Sequence, residues 1–144
     1  MSFQQAVQNT APIAECYRNG LLALGNHSLK ITPSVPRSCS GSIDLDTCLQ
    51  PRFPNATRWD YALGYGDYAY FVEVHPESGQ VSEMLNKVTW LRQWLKGEGA
   101  LLAAIHHPGK TFHWLSTNGV KIMGKYQLQL ALNKVVVANH LILP

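Results

Sequence analysis

Long apolar runs are missing from this sequence, and their absence restricts where the protein can work. No segment of its 144 residues reaches the length of a membrane-spanning helix. The first residues, Met-Ser-Phe-Gln-Gln, also have neither the basic start nor the apolar stretch of a signal peptide. We therefore predict no membrane partner and a cytoplasmic location.

Cysteine is scarce as well, because Cys16, Cys39 and Cys48 are the three residues of this type. An odd number without a secretory signal favours reduced thiols over a disulfide framework. The spacing between Cys39 and Cys48 is too wide for a zinc knuckle pair. We therefore predict three free thiols and favour neither a zinc site nor a cysteine nucleophile.

Charged residues are few, at 15% of the chain, while apolar residues make up 46%. This balance is typical of a globular protein and excludes a disordered one. The formal net charge of +3 is a mild basic bias, which is compatible with phosphate binding. At this length we predict a single domain over residues 1–144.

The most informative stretch runs from Arg58 to Pro76 and predicts two β-strands joined by a tight Gly-Asp turn. Asp60 stands at the start of the first strand, Glu73 near the end of the second, and His75 two residues later. Side chains alternate along a strand, so Glu73 and His75 share one face. A hairpin would bring Asp60 close to both and form a small polar site on an apolar sheet.

Hydrophobic periodicity predicts the remaining elements. The predicted helices cover residues 3–24, 78–97 and 121–133, and the predicted strands outside the hairpin cover residues 27–31, 111–116 and 135–143. Residues 32–57 are rich in proline and serine, which predicts a long irregular segment. The order is therefore helix, three strands, helix, strand, helix and strand, an α/β (α+β) fold.

Both the hairpin and this order of elements resemble the PD-(D/E)XK nuclease superfamily. Its signature has an Asp that opens one strand, and then an acidic residue, any residue and Lys on the next. Arg-Trp-Asp60 stands where the family has Pro-Asp, and Glu73-Val74-His75 stands where it has Glu-X-Lys. The resemblance implies a restriction-endonuclease-like αβββαβ core, in which helices flank a mixed central sheet.

A divalent-metal site is implied by this resemblance. The superfamily holds Mg²⁺ or Mn²⁺ with two carboxylates and a backbone carbonyl, and such hard oxygen ligands suit both ions. The implied ligands are Asp60, Glu73 and the carbonyl of Val74, with Glu15 on the first helix as a further one. In a nuclease the ion polarises the scissile phosphate and lowers the pKa of a bound water. The implied activity is metal-dependent hydrolysis of phosphodiester bonds.

The catalytic lysine of the family is replaced, because His75 occupies its position. A neutral imidazole would accept a proton from the attacking water or bind a transition metal. Lys87, on the helix after the hairpin, is a second candidate, since some members carry the catalytic lysine there. We predict His75 as the main participant, because strand alternation fixes its position. The structural alternative for Lys87 is a surface pair with Glu83.

Other interpretations stay open from the sequence alone. Without a metal, Asp60 would cap a strand end and Glu73 would pair with a surface lysine, while Asp44 and Asp46 form a rival carboxylate pair. Basic residues are scattered and the aromatic residues suit either a core or base stacking, so DNA, RNA or neither could be the partner. The opposing hypothesis is a catalytically inactive nuclease-fold module that binds nucleic acid or protein, in one version as a homodimer. A further one is a small-molecule or protein-interaction domain that uses the 32–57 segment.

Overall fold

A computed structural model describes residues 1–76, 81–119 and 124–144. The α-helices are α1 (Phe3–Gln8), α2 (Leu45–Leu49), α3 (Val81–Lys96), α4 (Ala100–Ala104) and α5 (Gly124–Leu132). The strands are β1 (Ile31–Pro33), β2 (Cys39–Asp44), β3 (Tyr61–Tyr65), β4 (Tyr68–His75), β5 (Phe112–Ser116), β6 (Val135–Ala138) and β7 (Leu141–Leu143). Short 3₁₀ helices cover Ala11–Cys16, Leu22–Lys30 and Pro36–Ser38. Within the described ranges, no helix combines the length and the apolar character needed to cross a bilayer.

The main sheet has five strands in the order β2-β3-β4-β5-β6. Strands β2, β3 and β4 form an antiparallel meander, whereas β4, β5 and β6 run parallel to one another. The parallel connections contain α3 and α4 after β4, and α5 after β5. Strands β1 and β7 pair in parallel as a separate two-stranded sheet. A mixed α+β architecture with a mixed central sheet flanked by helices is therefore confirmed.

Apolar side chains pack against both faces of the main sheet. One cluster unites residues of α1, α3 and α4 with Phe71 and Trp114 of the sheet. The other contains Val72 and Val74 together with residues of β1 and β7. Glu73 lies between these two valines along β4 and therefore faces the α3 side, as strand alternation requires.

The predicted hairpin is confirmed as β3 and β4, whose closing pair is Tyr65 and Tyr68. Gly66 in the two-residue loop has a φ of 59°, which glycine adopts without the steric cost that a Cβ would bring. At the other end of the hairpin, Tyr61 is the partner of Val72. This register brings Asp60, the residue before β3, level with Glu73.

The predicted helix over residues 3–24 is wrong. The α-helix ends at Gln8, and a 3₁₀ helix with Pro12 in its first turn begins at Ala11. Proline has no backbone N–H and cannot continue the hydrogen-bond ladder of an α-helix. Residues 22–30 form a further 3₁₀ segment, so most of the strand predicted at residues 27–31 is helical.

The segment 32–57 and the C-terminal strand also differ from the prediction. Residues 39–49 form β2 and then α2, and the Tyr17 ring packs against the backbone of Gly41, where a Cβ would lie 2.2 Å from the ring. Such close packing uses small and polar residues, so it gives no hydrophobic alternation. Residues 135–143 divide into β6 and β7, which belong to different sheets. The predicted helix start at Ser78 and the predicted inward residue Ile122 lie outside the described residues.

The prediction of three free thiols is wrong, because Cys16 and Cys48 form a disulfide while Cys39 is free. Their Cα atoms lie 6.2 Å apart, where the 3₁₀ helix of residues 11–16 packs against α2. The segment 32–57, predicted as irregular, folds back and brings the two sulfurs together. An odd count of cysteines leaves one thiol over and does not exclude one bridge.

Candidate functional site

Asp60 and Glu73 are joined by hydrogen bonds at the open end of the β3–β4 hairpin. The backbone N–H of Asp60 donates to Oε1 of Glu73 at 2.9 Å. The backbone N–H of Val74 donates to Oδ2 of Asp60 at 3.1 Å. Each carboxylate is thus held by the backbone of the strand that carries the other. The juxtaposition that strand alternation predicts for these two side chains is therefore present.

Lys87 on α3 completes this cluster. Its Nζ donates to Oε2 of Glu73 at 2.6 Å, and the two side chains are 15% and 1% exposed. The pair is therefore largely shielded from water, unlike the surface pair with Glu83 that the sequence left as an alternative. Glu83 instead lies with its Oε1 at 3.9 Å from Nε2 of His75.

Burial and charge determine the protonation of the cluster. Burial raises the pKa of Glu73 well above its usual range, and the charge of Asp60 raises it further, against the lowering effect of Lys87. Burial likewise raises the pKa of Asp60, against the effects of Lys87 and the Val74 amide. For Lys87, burial acts to lower the pKa, but the charge of Glu73 and the hydrogen bond to it produce a net upward shift. The lysine therefore stays cationic, and the two carboxyl groups compete for a proton or for a second cation.

His75 lies at the end of β4 on the same side as Glu73, since both side chains meet residues of α3. The hydrogen bonds that join Asp60, Glu73 and Lys87 do not involve its ring. Nδ1 is 2.8 Å from the carbonyl oxygen of Pro76, and the ring packs edge-on against Trp114. The His75 carbonyl also accepts a hydrogen bond from Nε1 of Trp114 at 2.9 Å. These contacts fix the ring beside the N-terminal part of α3.

The remaining implied metal ligands are less well placed. Glu15 is exposed on the 3₁₀ helix of residues 11–16. Val74 meets Asp60 through its N–H, and in the parallel ladder it pairs with Leu115. Over residues 1–76, 81–119 and 124–144, no group of three or more His, Cys, Asp or Glu side chains is arranged to hold a metal ion. Two carboxylates, Asp60 and Glu73, are therefore the oxygen donors that the cluster brings together.

The rival pair, Asp44 and Asp46, has structural roles. Asp44 caps α2 by accepting hydrogen bonds from the N–H and the hydroxyl of Thr47, both at 2.9 Å. Asp46 forms an ion pair with Arg58, in which Nε lies 3.0 Å from Oδ1. Arg58 also donates to the Phe53 carbonyl at 2.6 Å, so it fixes the loop that leads into Asp60. From the sequence, Arg58 was considered only as part of the motif, although its position two residues before Asp60 was a signal of this structural role.

A cavity of about 520 Å³ opens between that loop and α3. Its lining includes Phe53 from the loop and Trp90 and Trp94 from the helix. The two indole planes are nearly parallel, at 11°, and the Phe53 ring meets Trp90 edge-on. In the sequence, Asp60 follows the loop that forms one wall, and Lys87 precedes the part of α3 that forms the other.

Comparison with known proteins identifies no relative. No family model matches the chain, and no curated protein or solved structure matches it. Function must therefore be inferred from the geometry and chemistry of the cluster.

Proposed function

We propose that the protein is a divalent-metal-dependent phosphodiesterase, a nuclease with a divergent PD-(D/E)XK site. The observation that carries this proposal is the contact between Lys87 and Glu73 beside Asp60, which assembles two carboxylates and one cation at a single strand end. The resemblance implies the same three groups, two carboxylates and one cation. An antiparallel meander, a crossover through α3 and a parallel β5 support a restriction-endonuclease-like core, because that core has the same order of elements.

Asp60 and Glu73 would hold Mg²⁺ or Mn²⁺, together with water and the phosphate of the substrate. Both ions accept one or two carboxylates and keep several waters, so two protein oxygen donors are sufficient. The charge of the cluster also fits a metal ion, because once the proton shared by the two carboxyl groups is lost, two carboxylates beside one ammonium leave a net negative charge in a shielded place. When bound, the ion would polarise the scissile phosphate and activate a water molecule.

Lys87 supplies the positive charge that the family motif places two residues after Glu73. Its ammonium group is fixed by Glu73 and remains protonated, so its role is to stabilise negative charge rather than to accept a proton. His75 remains the candidate for proton transfer, since an imidazole exchanges protons near neutral pH. Strand β4 fixes the backbone of His75 two residues after Glu73.

For the substrate we propose a nucleic acid, either DNA or RNA. The aromatic cavity between α3 and the loop that leads into Asp60 would receive an unstacked base, because the faces of Trp90 and Phe53 suit stacking regardless of sequence. The net charge of +3 favours approach to a polyanion.

The cytoplasmic location stays a prediction. The Cys16–Cys48 bridge is a type of bond typical of oxidising compartments.

The second candidate function is a catalytically inactive module that binds nucleic acid or protein. It is favoured because the carboxylate of Glu73 already has hydrogen-bond partners within the protein. Glu73 accepts hydrogen bonds from both Asp60 and Lys87 and is 1% exposed. A carboxylate already neutralised by a lysine needs no metal for stability. Catalytic activity distinguishes the two candidates.

Cleavage of a mixed panel of single- and double-stranded DNA and RNA in Mg²⁺ and in Mn²⁺ tests the proposal. We expect the wild-type protein to cleave at least one substrate, and we expect Asp60→Asn and Glu73→Gln to lose that activity. Asp67→Asn, at the exposed tip of the hairpin, is the matched control and should retain it. Background rates for the wild type with every substrate and both metals would favour the inactive module instead.

A further inference from the structure

A second cavity, of about 350 Å³, is lined by four basic residues. Arg92 and Lys96 belong to the last turns of α3, while Lys110 and Lys134 precede β5 and β6. Phe112 lies among them, and none of the described residues that line the cavity carries a carboxylate. The sequence shows these cations as scattered, because they come from three separate segments that the parallel connections bring together.

No acidic group among the described residues pairs with the charges of these four side chains. Arg92 donates to the side-chain and backbone oxygens of Asn133, which are neutral, and its guanidinium lies 5.1 Å from the centre of the Phe112 ring. Lys110 has a long contact of 3.4 Å from Nζ to the carbonyl of His106. Like charges thus face one space without a counter-charge, which is unfavourable unless an anion occupies it.

Protonation agrees with this distribution of charge. Burial lowers the pKa of Arg92 from its usual value, which reflects the cost of a cation without an acidic partner. Burial also lowers the pKa of His106 in the cavity wall, and the charges of Lys110 and His107 lower it further, against a hydrogen bond to Thr111. His106 is therefore neutral at pH 7, and the four longer side chains supply the positive potential.

The backbone at two of these residues has an unusual conformation. Lys110 has a φ of 53° and Lys134 a φ of 63°, and they are the non-glycine residues with positive φ among the residues described. Lysine has no side-chain group that favours this region, in which glycine would fit without strain. The two positions lead into neighbouring strands, since the carbonyl of Lys134 accepts from the N–H of Phe112, the first residue of β5, at 2.8 Å. The presence of a lysine at both strained sites is explained if their charges are needed at the cavity.

We propose that this cavity is a binding site for a phosphate-bearing anion with at least two negative charges. The planar fork of Arg92 suits two phosphate oxygens, and the three lysines act as mobile point charges around them. None of the lining residues belongs to the Asp60–Glu73–Lys87 cluster, so the site is distinct and does not depend on the proposed nuclease activity. Either a small phosphorylated molecule or the phosphodiester backbone of a nucleic-acid strand would supply this chemistry.

Titration calorimetry with pyrophosphate, and fluorescence anisotropy with a labelled single-stranded oligonucleotide, test the site at low salt. We expect Lys96→Gln and Lys134→Gln each to weaken binding about tenfold, as the loss of a charged hydrogen bond predicts. Arg37→Gln removes a charge from an exposed residue outside the cavity and is the matched control. Loss of pyrophosphate binding in the two lysine variants assigns a small phosphorylated ligand. Loss of oligonucleotide binding alone assigns a strand backbone.

A further variant separates binding from folding. Lys134→Gly removes the charge and relieves the positive φ, so it should raise the melting temperature while it weakens binding. If Lys134 had only a structural role, Lys134→Gly would change the melting temperature without weakening binding. The proposal is overturned if neither probe binds the wild type, or if Arg37→Gln weakens binding as much as the cavity variants do.

Discussion

The N–H of Asp60 donates to Oε1 of Glu73 at 2.9 Å, and this bond joins the residue that leads into β3 to a carboxylate near the end of β4. Because Lys87 binds the other oxygen of Glu73, the carboxylate connects the hairpin to α3. Changes in the charge of Glu73 therefore affect both the stability of the fold and the chemistry of the site.

The first prediction concerns stability and pH. The folded-state pKa of Glu73 is raised, so the folded protein binds the Glu73 proton more tightly than the unfolded chain does. Stability due to this group is therefore complete below the unfolded value, near 4.3, and declines as pH rises towards the folded pKa, by at most about 1.4 kcal/mol per pH unit. In Glu73→Gln this decline is absent, so the variant should gain stability relative to wild type as pH increases over this window.

Urea unfolding of both proteins at several pH values from 4 to 8 measures this difference. Asp67→Asn, which changes an exposed carboxylate in the hairpin loop, should follow the wild-type curve in shape. Parallel curves for Glu73→Gln and the wild type would show that Glu73 titrates normally in the folded protein.

The second prediction concerns metal binding. A divalent cation would replace the proton that the two carboxyl groups hold, so Mn²⁺ should bind more tightly at pH 8 than at pH 5.5 and release protons as it binds. Calorimetry in buffers of different ionisation enthalpy measures both effects. Asp60→Asn and Glu73→Gln should each reduce the affinity at least about tenfold, which corresponds to about 1.4 kcal/mol. Equal affinity in these variants and in Asp67→Asn would exclude a site at this cluster.

The third prediction concerns the disulfide. Denatured, unreduced protein should show one free thiol, that of Cys39, because Cys16 and Cys48 are joined. Reduction, or the replacement of both bridged residues by serine, should lower the free energy of unfolding by about 2–4 kcal/mol, because the bridge closes a loop in the unfolded chain. Cys39→Ser is the matched control and should leave the bridge intact. Three reactive thiols before reduction would restore the sequence-based prediction and support a reducing compartment.

The parts of the fold that could be predicted from sequence are those with regular periodicity. The β3–β4 hairpin and α3 follow from alternation and from helical spacing, and these two elements place Asp60, Glu73 and Lys87. Most of strand β2 could not be predicted, because the close approach of Tyr17 to the sheet requires glycine at position 41 rather than a large apolar residue. Local pattern does not report such tertiary packing.

Contacts between side chains that are distant in the chain could not be predicted from the sequence either. The ion pair of Lys87 with Glu73 depends on how α3 crosses the sheet, whereas the sequence offered Glu83, four residues away on the same helix. The Cys16–Cys48 bridge and the four-cation cavity likewise join segments distant in the chain. Each required the arrangement of packed elements, which a single sequence does not supply.

The last prediction concerns the replacement for the family lysine. From sequence, His75 is the favoured participant, but in the structure the hydrogen bond to Glu73 comes from Lys87. We therefore expect Lys87→Gln to reduce the cleavage rate about 100-fold or more, as the loss of a positioned charge predicts. His75→Gln should have the smaller effect on the rate at its pH optimum, because the contacts of its ring are with Pro76, Glu83 and Trp114.

Rates in Mn²⁺ between pH 5.5 and 9 distinguish these roles. If His75 transfers a proton, His75→Gln at saturating Mn²⁺ reduces the fall in activity towards low pH to the part that protonation of the two carboxylates causes, whereas Lys87→Gln lowers activity at every pH in this range. Lys125→Gln, on the exposed face of α5, is the control for the loss of a lysine charge. Loss of activity in His75→Gln but not in Lys87→Gln would show that the contact of Lys87 with Glu73 is structural. It would also return the role of the missing family residue to the histidine two positions after Glu73.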